Sequence, residues 1–139
     1  MLGSVEGDRV LDLFAGSGAL GIEALSRGAA SAVFVERDAR ALDALTRNLD
    51  SLHVEAEIRR QDALRFLTGD EGPFDLVFVD PPYDLAARVA GPLSERLPAI
   101  VSRDARIVTE SDKRTPLELS LPLLRERIYG DTRIAVHHA

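Results

Sequence analysis

Apolar residues along this chain recur with two periods, one typical of buried strands and one typical of amphipathic helices. Short apolar or alternating runs predict seven strands, at residues 9–14, 32–35, 54–59, 74–79, 105–110, 123–129 and 132–137. Helical spacing predicts four helices, at residues 20–26, 39–52, 63–67 and 85–97. Asp38 and Asp62 are suited to cap the second and third helices, and Gly91-Pro92 predicts a weak point in the fourth.

The order of these elements predicts an α/β fold with a doubly wound, mostly parallel sheet of seven strands. Strands and helices alternate four times, which is typical of parallel β-α-β units. Gly130-Asp131 lies between the last two strands and predicts a C-terminal antiparallel hairpin. The chain of 139 residues contains no repeat or linker and is expected to form one domain. Such sheets bind ligands beyond the carboxyl ends of their strands, where the candidate residues of this chain fall.

A glycine-rich turn follows the first strand. Gly16, Gly18 and Gly21 match the spacing of the dinucleotide-binding fingerprint, which on its own is weak evidence. Glycines permit a tight turn and let the backbone approach a ligand closely. Asp12 and Ser17 exceed what a plain strand-to-helix turn requires. We therefore predict a bound nucleoside cofactor here rather than a turn without a ligand.

Two carboxylates follow the second and third strands. Glu36 can accept hydrogen bonds from both hydroxyls of a ribose, which suits NAD and S-adenosylmethionine equally. Alternatively, Glu36 is a solvated acid paired with Arg37 or Arg40. Asp62 can accept from an adenine amino group or cap the next helix, and the two roles are compatible.

Asp80-Pro81-Pro82-Tyr83, directly after the fourth strand, is the most informative feature of the chain. Prolines cannot donate hydrogen bonds, so the Pro81 carbonyl is free to accept. Asp80 and that carbonyl can together take both protons of an exocyclic amine, and Tyr83 can stack on the base. Combined with the glycine turn, the tetrapeptide predicts methyl transfer to a planar amine.

Composition narrows the function classes. A formal net charge of −6 argues against a generally basic nucleic-acid surface, although a local basic patch is compatible with it. The absence of cysteine excludes disulfides and thiolate metal sites and fits a cytoplasmic protein. No apolar run is long enough for a membrane span, and no signal peptide is recognisable. His53, His137 and His138 are expected to be exposed and structural, so no metal site is predicted.

Residues 12–30, 35–38 and 80–83 together resemble the class I S-adenosylmethionine-dependent methyltransferases. Within them, the chain is most similar to the RsmD family of 16S ribosomal RNA guanine-N2 methyltransferases. The resemblance implies S-adenosylmethionine as cofactor, S-adenosylhomocysteine as product, and 16S RNA or an assembling small subunit as partner. It implies that the target guanine is received by Asp80, Pro81, Pro82 and Tyr83. It implies cofactor-binding roles for Asp12, Ala15, Gly16, Ser17, Gly18, Leu20, Gly21, Glu36, Arg37, Asp62 and Ala63.

The start of the chain departs from the family that it resembles. Members of that family usually carry a further upstream segment, basic in character, which helps to bind cofactor and RNA. We therefore expect Met1-Leu2 to be the tail of a preceding helix, and the 1–139 catalytic domain to methylate little by itself. Three alternatives remain open: an amino methyltransferase acting on adenine N6 or another RNA or DNA amine, a nicotinamide-dependent dehydrogenase, and a non-catalytic RNA-binding module.

Overall fold

Seven strands make one sheet in the computed structural model of this chain, which describes residues 3–139. The expected helix tail at Met1-Leu2 lies outside the described residues. The strands are β1 (Arg9–Asp12), β2 (Ser31–Glu36), β3 (Glu57–Arg60), β4 (Phe74–Val79), β5 (Val101–Asp112), β6 (Leu123–Tyr129) and β7 (Thr132–His138). The helices within the same residues are α1 (Ala19–Ser26), α2 (Ala39–Ser51), α3 (Ala63–Phe66) and α4 (Ala86–Arg96), with a 3₁₀ turn at Leu97–Ile100.

The sheet order is β3-β2-β1-β4-β5-β7-β6. Strands β1 to β5 pair in parallel, whereas β7 is antiparallel to both β5 and β6. This arrangement confirms the predicted α/β fold and its C-terminal hairpin. Strand β1 lies between β2 and β4, so the direction of winding reverses there. The carboxyl ends of β1 and β4 therefore form the switch point at which such sheets bind ligands.

Alternating side chains of the central strands supply a separate apolar core to each face of the sheet. Leu11 and Val77 face a core that includes Phe66 of α3 and Leu93 of α4. The neighbouring positions on the same strands face a core that includes Leu45 of α2. The helices thus cover both faces, as a doubly wound fold requires. None of the helices in residues 3–139 is long and apolar enough to cross a membrane.

Some element boundaries differ from those that the apolar pattern predicts. Strand β5 runs over 12 residues because β4 pairs with it from Val101 across a register irregularity, and β7 pairs with it as far as Asp112. Strand β3 starts only at Glu57, where pairing with β2 begins at Val33. Helix α4 continues through Gly91 and Pro92, so the predicted weak point does not break it.

The prediction that all three histidines are exposed is wrong for His137. Its side chain is only 3% exposed, because β7 lies between β5 and β6 and pairs with both at this position. The Nδ1 atom lies 3.2 Å from the Leu121 carbonyl oxygen. Burial lowers the pKa of this imidazole, so His137 is a neutral core residue.

Candidate functional site

A cavity of about 890 Å³ opens at the carboxyl ends of β1 to β4. It lies at the switch point, between the glycine turn after β1 and the tetrapeptide after β4. Most of the predicted site residues line it: Ala15, Gly16, Ser17, Leu20, Glu36, Arg37, Asp62, Ala63, Asp80, Pro81, Pro82 and Tyr83. The cavity therefore brings the cofactor-type and substrate-type candidates together in one place.

Three predicted residues, Asp12, Gly18 and Gly21, support this cavity from below instead of lining it. Gly18 has a φ of 86°, and an added Cβ there would overlap the Leu45 side chain. An added Cβ on Gly21 would lie 2.7 Å from Cζ of the buried Phe34 ring. Because both glycines lack a side chain, α1 can begin close to the sheet. This close packing determines where the glycine turn lies relative to the sheet.

Asp12 is the buried carboxylate beneath the glycine turn. Its side chain is 2% exposed, and its Oδ2 accepts a 3.1 Å hydrogen bond from the Gly21 amide. Burial raises the pKa of Asp12 to about 7, and the charges of Asp80 and Glu36 add to the effect. The bond from Gly21 acts in the opposite sense. Asp12 therefore holds the first turn of α1 in place. Because its pKa is raised, its carboxyl group is protonated more readily than that of an exposed aspartate.

The side chain of Glu36, at the end of β2, accepts hydrogen bonds from backbone amides of the neighbouring loops. Its Oε1 accepts from the Gly16 amide at 2.9 Å. Its Oε2 accepts from the amides of Arg37 at 2.9 Å and Asp38 at 2.8 Å. The carboxylate thus joins the glycine turn to the start of α2, and it still lines the cavity. Neither ion-pair alternative for Glu36, with Arg37 or with Arg40, is among the salt bridges of the described residues.

Asp62 caps α3 and faces the cavity at the same time. Its Oδ2 accepts from the Arg65 amide at 3.2 Å, which is the helix-capping alternative considered from the sequence. Its Oδ1 lies 3.6 Å from Nη1 of Arg37 across the cavity entrance. One oxygen is therefore committed to the helix, while the other faces an exposed arginine that a ligand can displace.

The tetrapeptide turns the chain away from β4 and leaves its acceptors toward the cavity. The Pro82 carbonyl accepts from the Leu85 amide at 2.9 Å, which closes the turn. Within residues 3–139, neither the Asp80 carboxylate nor the Pro81 carbonyl accepts a hydrogen bond. Tyr83 is 68% exposed. Partial burial raises the pKa of Asp80 to about 6, and the negative charge of Glu110 contributes.

A second, smaller cavity of about 230 Å³ continues from the tetrapeptide toward β5 and β7. It shares Asp80, Pro81 and Tyr83 with the larger cavity and is otherwise lined mainly by polar residues: Ala86, Glu110, Ser111, Asp112, Thr115, Asp131 and Thr132. The sequence analysis did not identify the residues that line this smaller cavity beyond the tetrapeptide. Glu110 ends the strand predicted at residues 105–110, but only the observed sheet order places it beside Asp80.

Sequence reasoning also missed several residues of the larger cavity. Examples are Phe14, Asp38, Gln61, Leu85 and Arg88. The first three are adjacent in sequence to predicted residues, whereas Leu85 and Arg88 follow the tetrapeptide at the start of α4. Among the described residues, no group of three His, Asp or Glu side chains is arranged to hold a metal ion.

Known proteins similar to this chain place it in a family. The family described as Conserved hypothetical protein 95 matches residues 1–138. YlbH of Bacillus subtilis (strain 168) is 36% identical over 95% of this chain and 76% of its own length. Ribosomal RNA small subunit methyltransferase D of Haemophilus influenzae is 38% identical over 86% of this chain and 66% of its own length.

A solved structure extends the similarity to three dimensions. A conserved hypothetical protein of Streptococcus pyogenes superposes with a TM-score of 0.85 at 37% identity, over 97% of this chain and 88% of its own. Sequence and fold thus agree along nearly the full 139 residues. The chain belongs to the family described as Conserved hypothetical protein 95, which is the RsmD family of methyltransferases, as residues 12–30 and 80–83 predicted.

Proposed function

We propose that this chain is the catalytic domain of a methyltransferase that acts on the N2 amine of a guanine in 16S ribosomal RNA. The observation that carries the proposal is the free pair of acceptors, the Asp80 carboxylate and the Pro81 carbonyl, beside a glycine-turn cavity. Family membership supports methyl transfer. The guanine target and the 16S RNA substrate rest on the resemblance of residues 12–30 and 80–83 to that family.

The cavity suits S-adenosylmethionine because of its shape and its charge. Gly16, with a φ of 57° and open space where a Cβ would stand, lets a ligand approach the backbone. Glu36, Asp62 and Asp80 line the cavity and favour a ligand that carries positive charge. In the proposed complex Glu36 holds the ribose and Asp62 lies beside the adenine. The bound cofactor supplies an electrophilic methyl group on a positively charged sulfur.

The residues after β4 orient the amine that is methylated. Asp80 and the Pro81 carbonyl accept its two protons, which holds the nitrogen in one position with its lone pair turned toward the cavity. The rigid prolines keep the two acceptors in place without donors that would compete. The ionised Asp80 also stabilises positive charge as it develops on the nitrogen. Tyr83 offers its exposed ring to the face of the base.

Positioning accounts for most of the expected rate enhancement. Two reactants held in one cavity avoid the entropic cost of a bimolecular encounter. The guanine must leave its stack, or be presented unpaired by the RNA, because the amine of a stacked base cannot reach Asp80. This requirement fits the exposure of Tyr83 at the cavity edge.

A transfer assay tests the proposal directly. The full-length protein is incubated with tritiated S-adenosylmethionine and either naked 16S RNA or partly assembled small subunits, followed by nucleoside analysis. N2-methylguanosine is the expected product. Methylated adenosine would instead show that the target base is adenine. Calorimetry with S-adenosylhomocysteine and NAD is the companion measurement. Binding without transfer to any RNA would favour a non-catalytic module, and preferential NAD binding would overturn the cofactor assignment.

A further inference from the structure

The smaller cavity places a second carboxylate beside Asp80. Val79 of β4 pairs with Thr109 of β5, so Asp80, directly after β4, lies beside Glu110, two residues before the end of β5. Paired residues of neighbouring strands point to the same face of a sheet. Both side chains line this cavity, and the negative charge of Glu110 reaches Asp80. Asp80 and Glu110 thus share this cavity, so a ligand that extends into it from Asp80 can contact Glu110.

The four carboxylates of this cavity differ in what they contact. Asp112 forms a two-pronged ion pair with Arg114, with bonds of 3.0 and 2.8 Å. Asp131 has Lys113 at 3.7 Å. Asp80 and Glu110 have no hydrogen-bond or ion-pair partner in the part of the chain that the structure describes. Asp80 and Glu110 are thus the two carboxylates of this cavity whose acceptors are unsatisfied within the described residues.

The Glu110 carboxylate has no hydrogen-bond donor among the described residues, although it is only partly exposed. The residue also lines a further cavity with Val108, Tyr129 and Ile134 and with the ion pair Glu23–Arg27. A carboxylate that no protein donor contacts keeps both oxygens available to the donors of a ligand. None of the described arginines or lysines supplies such a donor. An incoming base with hydrogen-bond donors along one edge would satisfy it.

We propose that Glu110 is a specificity-determining residue that accepts the N1–H of the target base and so selects guanine over adenine and cytosine. This inference rests on the proposed function. Guanine presents an N1–H donor next to its N2 amine. Adenine and cytosine also carry an amine that Asp80 and the Pro81 carbonyl can hold, but the neighbouring ring nitrogen is an acceptor. Its lone pair would face the Glu110 carboxylate and repel it.

A base analogue separates this role from a structural one. The target guanine in an RNA substrate of the full-length protein is replaced by 2-aminopurine, which keeps the N2 amine but has an unprotonated N1. Wild-type protein should prefer guanine by about 5- to 150-fold in kcat/KM, the usual discrimination of a good base contact. Glu110→Gln should reduce that preference to less than about threefold, because an amide can either accept from N1–H or donate to N1.

The controls make each outcome decisive. Glu118→Gln changes the same charge at an exposed residue outside both cavities and should keep the wild-type preference. Affinity for S-adenosylhomocysteine should be unchanged in Glu110→Gln, since Glu110 does not line the larger cavity. Equal use of the two bases by wild type, or an equal loss on both in Glu110→Gln, would overturn the inference while leaving the proposed function intact. If the wild-type protein transferred no methyl group to guanine, both this inference and the proposed function would be overturned.

Discussion

The two halves of the candidate site use their polar groups in opposite ways. On the β1–β2 side, Asp12 and Glu36 accept hydrogen bonds from the backbone of the loops around them. On the β4–β5 side, Asp80 and Glu110 accept none from the described residues. The first half is therefore built in advance by its own contacts, whereas the second half keeps its acceptors for a partner. Substitutions in the first half should cost stability as well as cofactor binding, whereas those in the second half should cost activity or RNA binding without loss of stability.

Asp80→Ala should give the largest effect and test the β4–β5 half most sharply. Removing the carboxylate that holds the amine should lower methyl transfer by about two to three orders of magnitude, as losing one charge-stabilising group commonly does. Affinity for the cofactor should stay within a few-fold, because Asp80 is assigned to the substrate. Single-turnover transfer and calorimetry measure the two quantities.

The control for Asp80→Ala is Asp104→Ala, which removes an exposed carboxylate of β5 that lines neither cavity. Thermal unfolding should show no loss of stability in either variant. Wild-type turnover by Asp80→Ala would remove this residue from the reaction.

Glu36→Ala tests the opposite half and should change two properties together. Losing hydrogen bonds to a charged acceptor should cost about 1.5–3 kcal/mol of cofactor binding, or roughly 10- to 150-fold in affinity. The melting temperature should also fall, because the amides of Gly16, Arg37 and Asp38 lose their acceptor. A folded variant with wild-type affinity would show that the ribose does not bind here.

The sequence located the residues that line the candidate site better than it predicted the contacts that each one makes. The glycine turn and the tetrapeptide could be located because their residue types are specific and each follows an apolar strand. The capping role of Asp62 was one of two readings, and only the packed loop shows that its Oδ2 is committed to Arg65. The burial of Asp12 under α1 and of His137 in β7 depends on neighbours distant in sequence. Glu110 could be recognised only after the order β4-β5-β7 was known.

Gly21→Ala tests whether the β1–β2 half is held by packing. An added methyl would collide with the Phe34 ring, which is fully buried and cannot move away freely. The expected loss is about 1–3 kcal/mol in the free energy of unfolding, as for overpacked cores. Gly91→Ala is the matched control, because it adds the same methyl to a position of α4 with no other neighbour than the adjacent Pro92 ring. That variant should change stability little, since the better helix propensity of alanine is offset by the contact of its methyl with the following proline. Denaturant titration of both variants is the measurement, and equal stabilities would contradict the packing argument.

Tyr83→Ala tests the exposed ring of the β4–β5 half. Loss of base stacking should weaken RNA binding by about 1–3 kcal/mol without changing stability, because the ring makes no ring-to-ring contact among the described aromatic residues. Tyr83→Phe keeps the ring face and should lose much less. Fluorescence titration with an RNA fragment compares the two, and a similar loss in both variants would assign the effect to the hydroxyl.

The pH dependence should give the smallest effect near neutral pH and have opposite signs for methyl transfer and for stability. Asp80 must be ionised to accept from the amine, and its pKa is raised to about 6. Transfer should therefore rise with pH through about 6, with about a tenfold loss for each pH unit below it. Glu110→Gln removes a like charge and should move that midpoint to lower pH.

Stability of the ligand-free fold should instead decline as pH rises from about 4 to about 7, because ionising Asp12, whose pKa is raised from 3.8 to about 7, costs more in the folded state. Asp80, whose pKa is also raised, adds a slope of the same sign below about pH 6, so Asp80→Asn should reduce the decline only there, whereas Asp12→Asn should remove it between about pH 6 and 7. A slope above pH 6 that Asp12→Asn leaves unchanged would show that other groups set it.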